Sequence, residues 1–414
     1  MASSLAFWFE TKNEHNRRYL NDIDTELHFN YWSLKSTNTN YLDIGVHITS
    51  KNAALQRNVT KLKIFLPFKE SELKFDFNLG GLICDDKTLL AAIFNSHILS
   101  TRSEDSSGVL NITLPDGNVF DFYTHIEVVS DDGMLGVEIH SFKDEKQPGT
   151  ILTIPVELIT KKHQNSGSHT EKKPFFLLKN QQPNDMAGNV SYFRFRVKLS
   201  KRENSISTLF QPKASFITSQ FEETQIIDFR VNEARILPLK IREQMQDARK
   251  LTKIHFFLVR EASAEYKAAH SEFKRCRILE SEIWDKYLGH ENDTQKQPML
   301  IYHWSDYGKP SKDGKTKQPI DHFSAFSKFS STTVTDKKIL VMVVILITLG
   351  VVSGIIANKV WQEWTTAQAK HHASETSGSI LQRHSYVQQY DFPTFGKSDN
   401  TVNTTLPSKG GSDG

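Results

Sequence analysis

Apolar and polar residues alternate with a period of two through most of the first 160 positions, and the alternating stretches are rich in β-branched and aromatic side chains. This pattern predicts strands at 42–49 (LDIGVHIT), 58–68 (NVTKLKIFLPF), 109–115, 118–129, 133–142 and 150–158. A helical period interrupts them over DDKTLLAAIFNSHI, 85–98, where Asp85 or Asp86 stands as N-cap because a carboxylate there accepts the helix's unpaired N–H groups. Pro115, Asp116 and Gly117 mark a hairpin turn. A second hairpin, with its loop at 130–133, pairs Val129 with Met134 and sets Val128, Ile126 and Thr124 opposite Leu135, Val137 and Ile139 on an apolar face. The other face then brings His125 opposite Glu138 and Tyr123 opposite His140, with Glu127 nearby.

Residues 160–174, TKKHQNSGSHTEKKP, lose all hydrophobicity and predict a boundary between a β-rich domain over 1–160 and a second β-rich region over 175–300. Strands resume at 192–200, 214–221, 224–231 and 253–259. The period then changes. Tyr266, Ala269, Phe273, Cys276, Leu279, Ile283 and Tyr287 recur at intervals of three and four, which predicts one amphipathic helix over 262–288, stopped by Gly289. Lysines interspersed with Gly308, Pro310, Gly314 and Pro319 make 301–338 read as a basic juxtamembrane linker.

KKILVMVVILITLGVVSGIIANK, 337–359, departs from both periods. Residues 339–357 are nineteen positions without a charge, roughly 29 Å of helix, which predicts a transmembrane span. Lys337 and Lys338 before it, and Trp361 and Trp364 after it, suit the two interfaces, as do Phe326 and Phe329 further upstream. Gly350 and Gly354 form a GxxxG, which permits close approach of a second helix and predicts self-association in the membrane. The opening residues lack a signal-like apolar region, and lysines gather ahead of the span; together these place the N-terminus in the cytoplasm, the span in the cell inner membrane and the tail on its far side. Residues 358–414, rich in Ser, Thr, Gly, Gln and Asn, read as a disordered polar tail.

The expected fold class is therefore β-rich α+β: antiparallel, sandwich-like sheets with an inserted helix, a long amphipathic helix, one C-terminal transmembrane helix and a disordered tail. A net charge of +3 is too mild to argue direct nucleic-acid binding. Cys84 and Cys276 are the two cysteines; they form no CxxC and no disulfide framework. HExxH, GxSxG and SxxK are absent, and in GKPSKDGKT, 308–316, Gly308 stands one residue too early for a phosphate loop. His125, Glu138 and His140 are the candidates for a metal, against the bland reading of a solvated strand face. No catalytic residue and no cofactor are expected. The function that follows is a non-enzymatic, single-span membrane protein with a cytoplasmic sensing or docking domain. A membrane-tethered enzyme with an unrecognised site, and a structural scaffold of an envelope complex, are the alternatives.

In layout, a soluble domain followed by the span 339–357 and a short tail, the chain resembles bacterial antiphage membrane effectors of the kind encoded beside retron reverse transcriptases. That resemblance implies a domain held in check by a regulatory protein or ribonucleoprotein encoded nearby. It also implies clustering of several copies through Gly350 and Gly354, and compromise of the lipid bilayer.

Overall fold

In IDTELHFNYWSL, Leu27, Phe29 and Tyr31 alternate with the polar Glu26, His28 and Asn30, and the stretch forms β2 (Ile23–Leu34) with Leu27, Phe29 and Tyr31 buried on one face. The computed structural model describes residues 3–35, 39–104, 108–129, 135–160, 189–210, 221–245, 251–269, 272–289, 297–309, 318–332 and 336–379. It divides into two units, 1–335 and 336–414.

The first unit is strand-rich and centres on a ten-stranded mixed sheet. Its strands run β16 (Arg275–Ile278), β17 (Met299–Tyr307), β14 (Leu251–Glu261), β2, β3 (Thr39–Ser50), β11 (Asn189–Leu199), β8 (Val119–Tyr123), β7 (Val109–Thr113) and β6 (Ser100–Glu104), with β5 (Leu73–Asp76) also beside β11. Pairing is parallel at β14–β2 and β11–β8, and antiparallel at the other junctions. Two four-stranded antiparallel sheets accompany it: β1 (Ala6–Thr11), β4 (Val59–Leu66), β10 (Gly149–Pro155) and β9 (Glu138–Phe142); and β12 (Ser207–Phe210), β13 (Glu222–Val231), β18 (Phe323–Thr332) and β15 (Glu265–Ala269). A parallel bridge from Leu5 to Val231 ties these two together.

One face of the large sheet packs on both small ones, which makes the sandwich. Phe256 stacks on Phe229 with ring centroids 4.1 Å apart, and Phe29 lies 5.0 Å from the same ring. Each such buried aromatic contributes roughly 1.5–3 kcal/mol. Short helices α1 (Ala54–Asn58) and α4 (Leu239–Met245) add Leu55, Ile241 and Met245 to this core. The opposite face of the large sheet carries a second core, built with α2 (Leu79–Cys84), α3 (Lys87–Phe94) and α5 (Ser281–Leu288). Asp86 caps α3 as expected, accepting from Thr88 N at 2.8 Å, and Asn95 ends it in the left-handed conformation.

Several expectations need correction. The stretch 160–174 does not separate two domains, because strands from either side of it alternate within one sheet: β14 lies on β2 and β11 on β3. The predicted helix 262–288 is β15, β16 and α5. Its three-and-four spacing drew on two different cores: Tyr266 and Phe273 pack around Tyr302 and Phe329, whereas Leu279 and Tyr287 belong beneath the helices. The linker 301–338 contains most of β17 and all of β18; Phe329 is fully buried in the sandwich and is no membrane anchor.

The hairpin over 118–142 does not form as registered. β8 buries Phe120 and Phe122 under the helices, whereas β9 turns Ile139 and Phe142 to the sandwich core, and among the described residues a parallel bridge joins Val128 to Val137, which the expected antiparallel register did not pair. Gly136 permits that bridge, since a Cβ there would collide with the backbone of Val128 and Val129. The strand predicted at 214–221 lies almost wholly outside the described residues.

The second unit is α6 (Asp336–Ser379), 44 residues long, or about 66 Å. It is long and apolar enough to cross a membrane, and none of its most apolar stretch is buried among the described residues. Helix continues through 358–379, where a disordered tail was expected; residues 380–414 lie outside the described residues.

Candidate functional site

The even-numbered residues of β2 point to the helix side of the large sheet, and there the polar residues of neighbouring strands fall into rows. Lys253, Glu26, His47 and Tyr192 form one row across β14, β2, β3 and β11; His255, His28, Gly45 and Arg194 form the next; Phe257, Asn30, Asp43 and Arg196 the third. At the third row α5 covers the sheet. Lys253, Glu26, His47, His255, His28 and Arg194 of the first two rows, with Asn30 and Phe257 of the third, floor a cavity of about 500 Å³, walled by the C-terminal end of α3 at Phe94 and Asn95, by Trp284 of α5 and by the edge strand β16.

Glu26 is the hub. One of its carboxylate oxygens lies 2.7 Å from His28 Nε2, 3.2 Å from His255 Nε2 and 2.8 Å from Lys253 Nζ. His255 Nδ1 is in turn 2.8 Å from His303 Nε2 on β17. Those two rings lie nearly coplanar and side by side, with centroids 5.0 Å apart and 20° between planes, so the N···N line runs along the rings as a hydrogen bond requires. An ionised carboxylate only accepts. With neutral rings, one assignment satisfies every contact: His28 and His255 donate to Glu26 from Nε2, and His303 donates from Nε2 to His255 Nδ1.

Burial opposes the charge on Glu26, but donors from His255, His28 and Lys253 outweigh it and hold the carboxyl far below its usual range. Burial pushes His28 down to about 4, only partly offset by Glu26. His303 falls to about 4 through burial and then the nearby charges of His255, Lys274 and Arg275. Burial also lowers His47. Near neutral pH His28, His303 and His47 therefore stand uncharged beside an ionised Glu26.

The third row supplies a buried ion network. Asp43 accepts from Arg196 Nε at 2.6 Å and Nη2 at 3.1 Å, from Trp32 Nε1 at 2.7 Å and from the Tyr287 hydroxyl at 2.7 Å. Arg194, 1% exposed at its side chain, comes no nearer to Asp43 than 3.9 Å. It donates instead to the Tyr287 hydroxyl at 3.0 Å and the Tyr192 hydroxyl at 3.3 Å, and its Nη2 makes no hydrogen bond. The two arginines thus share one aspartate. Gly45 makes room on β3 for Tyr192 and Arg194: a Cβ there would collide with the Tyr192 hydroxyl and press on Arg194.

Glu26, His28 and His255 bring one carboxylate oxygen and two ring nitrogens within 4.8 Å of one another. This is a donor set suited to zinc or iron. Lys253 stands against it, because an ammonium about 4 Å from a divalent ion costs about 8 kcal/mol at an effective dielectric near 20. The cavity's other charges, Arg194, Lys274, Arg275 and Arg277, have the same sign as that ammonium.

The residues singled out from sequence lie elsewhere. His125 is exposed beside Thr124, 3.2 Å from its hydroxyl. Glu138 and His140 pair with each other at 3.2 Å on β9, in a different sheet from β8. Gly350, Gly354, Lys337, Lys338, Trp361 and Trp364 all lie on α6, where the two tryptophan rings pack 5.3 Å apart. Cys84 is half-buried, its thiol pushed up to about 12 by burial, and so is a poor nucleophile. The cluster at Glu26 had a signal in the sequence: Glu26 and His28 alternate with Leu27 and Phe29, and His255 alternates with Ile254 and Phe256. The pairing of β2 with β14 had none.

Fold and site together define a strand-rich, layered domain with a histidine-floored, basic cavity, in a chain that also carries a long apolar helix. No family model matches the sequence, and no curated protein matches it. Among solved structures, a "putative protease" from Parabacteroides distasonis aligns with a TM-score of 0.27 and 5% identity, over 74% of this chain and 40% of that one. The chain spans less than half the length of that protein, and a likeness of this order says nothing about activity.

Proposed function

We propose that this is a single-span membrane protein whose strand-rich domain works by binding rather than by catalysis. One observation carries the reading: none of the most apolar stretch of α6 is buried among the described residues. In water, nineteen uncharged residues, 339–357, would stand exposed, a larger apolar surface than soluble monomers tolerate. A cytoplasmic domain, an inner-membrane span and self-association through Gly350 and Gly354 belong to the same proposal. Lys337 and Lys338 ahead of the span support the orientation. The open space around both glycines, where a Cβ would meet nothing within 4 Å, supports close helix approach. A toxic effector role, restrained by a regulatory protein or ribonucleoprotein, is the specific form that the layout resemblance adds.

Deleting 339–357 tests this. The parent is expected to stay with membranes through alkaline carbonate extraction and the deletion variant to leave them; a parent found in the supernatant overturns the span. In the same pair of strains, loss of membrane potential on expression of the parent alone supports the effector role. No loss in either removes that role and leaves an anchored binding protein.

A further inference from the structure

The cavity above Glu26 is lined by five cationic side chains and one carboxylate, and Lys253 already sits on that carboxylate. Arg277 is paired with Glu280. Lys274 and Arg275 have no carboxylate partner among the described residues. Arg275 stands directly opposite His303 across β16 and β17, so both share the face that looks into the cavity. Lys274 rests over the Tyr307 ring at 4.3 Å, at the same rim.

The back wall adds a second, independent observation. Arg194 is a fully buried guanidinium whose Nη2 donates to nothing, and Asp43 is already engaged by both Nε and Nη2 of Arg196. Asp43, 3.9 Å from that Nη2, is shared by both guanidinium groups, so this buried pair carries one positive charge more than its aspartate balances, and buried charge in excess is costly. The fold nevertheless keeps a glycine at position 45 so that this arginine can lie beside the cavity.

We infer that the cavity binds a small phosphate-bearing anion of mononucleotide size. Its phosphate groups take the donors of Lys253, Lys274 and Arg275, with neutral His28 beneath them and the uncompensated positive charge of the Arg194 and Arg196 pair behind them. About 500 Å³ lies within the range of small-molecule sites. Planar, bidentate recognition of phosphate is the task to which a guanidinium is suited. The excess of positive charge around Glu26 separates this reading from a bare divalent-metal site. The inference does not depend on the membrane span.

The test uses the full chain in detergent micelles, titrated calorimetrically with pyrophosphate, with ADP and separately with zinc. Saturable binding of both phosphate probes is expected, weakened about 10-fold or more in Lys253→Met and in the double variant Lys274→Ala/Arg275→Ala, since each lost charge-assisted bond is worth at least that factor. Arg194→Met gives a readout that a structural role would not. It leaves Asp43 and Arg196 as a balanced pair, so its thermal midpoint is expected at or above the parent's while probe binding falls about 10-fold or more. Failure of the folded parent to bind either phosphate probe overturns the inference, whether or not zinc binds. So does binding that the rim variants leave unchanged. A sharply lowered midpoint in Arg194→Met, with probe binding intact in the rim variants, makes Arg194 a structural cation and also overturns it.

Discussion

Asp43 is fully buried and holds four hydrogen bonds from three side chains, Trp32, Arg196 and Tyr287. Burial alone would raise its pKa, but Arg196 and then Arg194 and Tyr287 hold it below the usual carboxylate range. Removing it leaves two guanidinium groups without an anion in a dry interior. Asp43→Ala is expected to cost about 3–5 kcal/mol, read as a lowered urea midpoint by tryptophan fluorescence, since the Trp32 ring lies within the network. A midpoint within error of the parent would show that water reaches the network. Alternation placed Asp43 on a strand in the sequence, but a lone aspartate between Leu42 and Ile44 carries no mark of its partners. Those partners come from β2, β11 and α5, and only their convergence makes a buried charge tolerable.

Along β2, β14 and β17, the polar face behaves as one titrating surface. His28 and His303 are both depressed to about 4 in the fold, against about 6.5 in an unfolded chain. Between those values the unfolded chain binds more protons than the fold, so stability is complete above about pH 6.5 and falls as pH drops toward 4. Glu26 adds in the same direction at lower pH, because its carboxyl is lowered and its contribution disappears on protonation. The thermal midpoint of the parent is expected to fall steadily from pH 6.5 to pH 4.5, and His28→Gln, which keeps a donor toward Glu26 but does not titrate, to flatten that slope. Equal slopes in the two proteins would place the acid sensitivity elsewhere. Strands with strict alternation, such as β3, β4, β13 and β14, were legible from their residues. β15 and β16 were not, because a handful of aromatics shared between two cores imitated the spacing of a helix.

Residues on either side of 161–188 build the same large sheet, so cutting the chain there is expected to leave its two pieces together. A protease site placed between Thr160 and Asn189, once cleaved, should give fragments that co-elute in gel filtration and part only in denaturant; separation in native buffer would mean that the two halves fold alone. Local pattern was enough for the apolar helix, for the helix capped by Asp86 and for the predominance of strands, because each is set by side chains within a few positions of one another. Neighbour choice in the sheet is another matter. The Thr252 hydroxyl meets the Thr25 carbonyl across 227 positions, and the cavity floor and its glutamate hub exist only through that pairing. Burial in the sandwich sets the register of β2 against β14 by aligning their apolar faces, and the polar residues between them are carried into contact as a consequence.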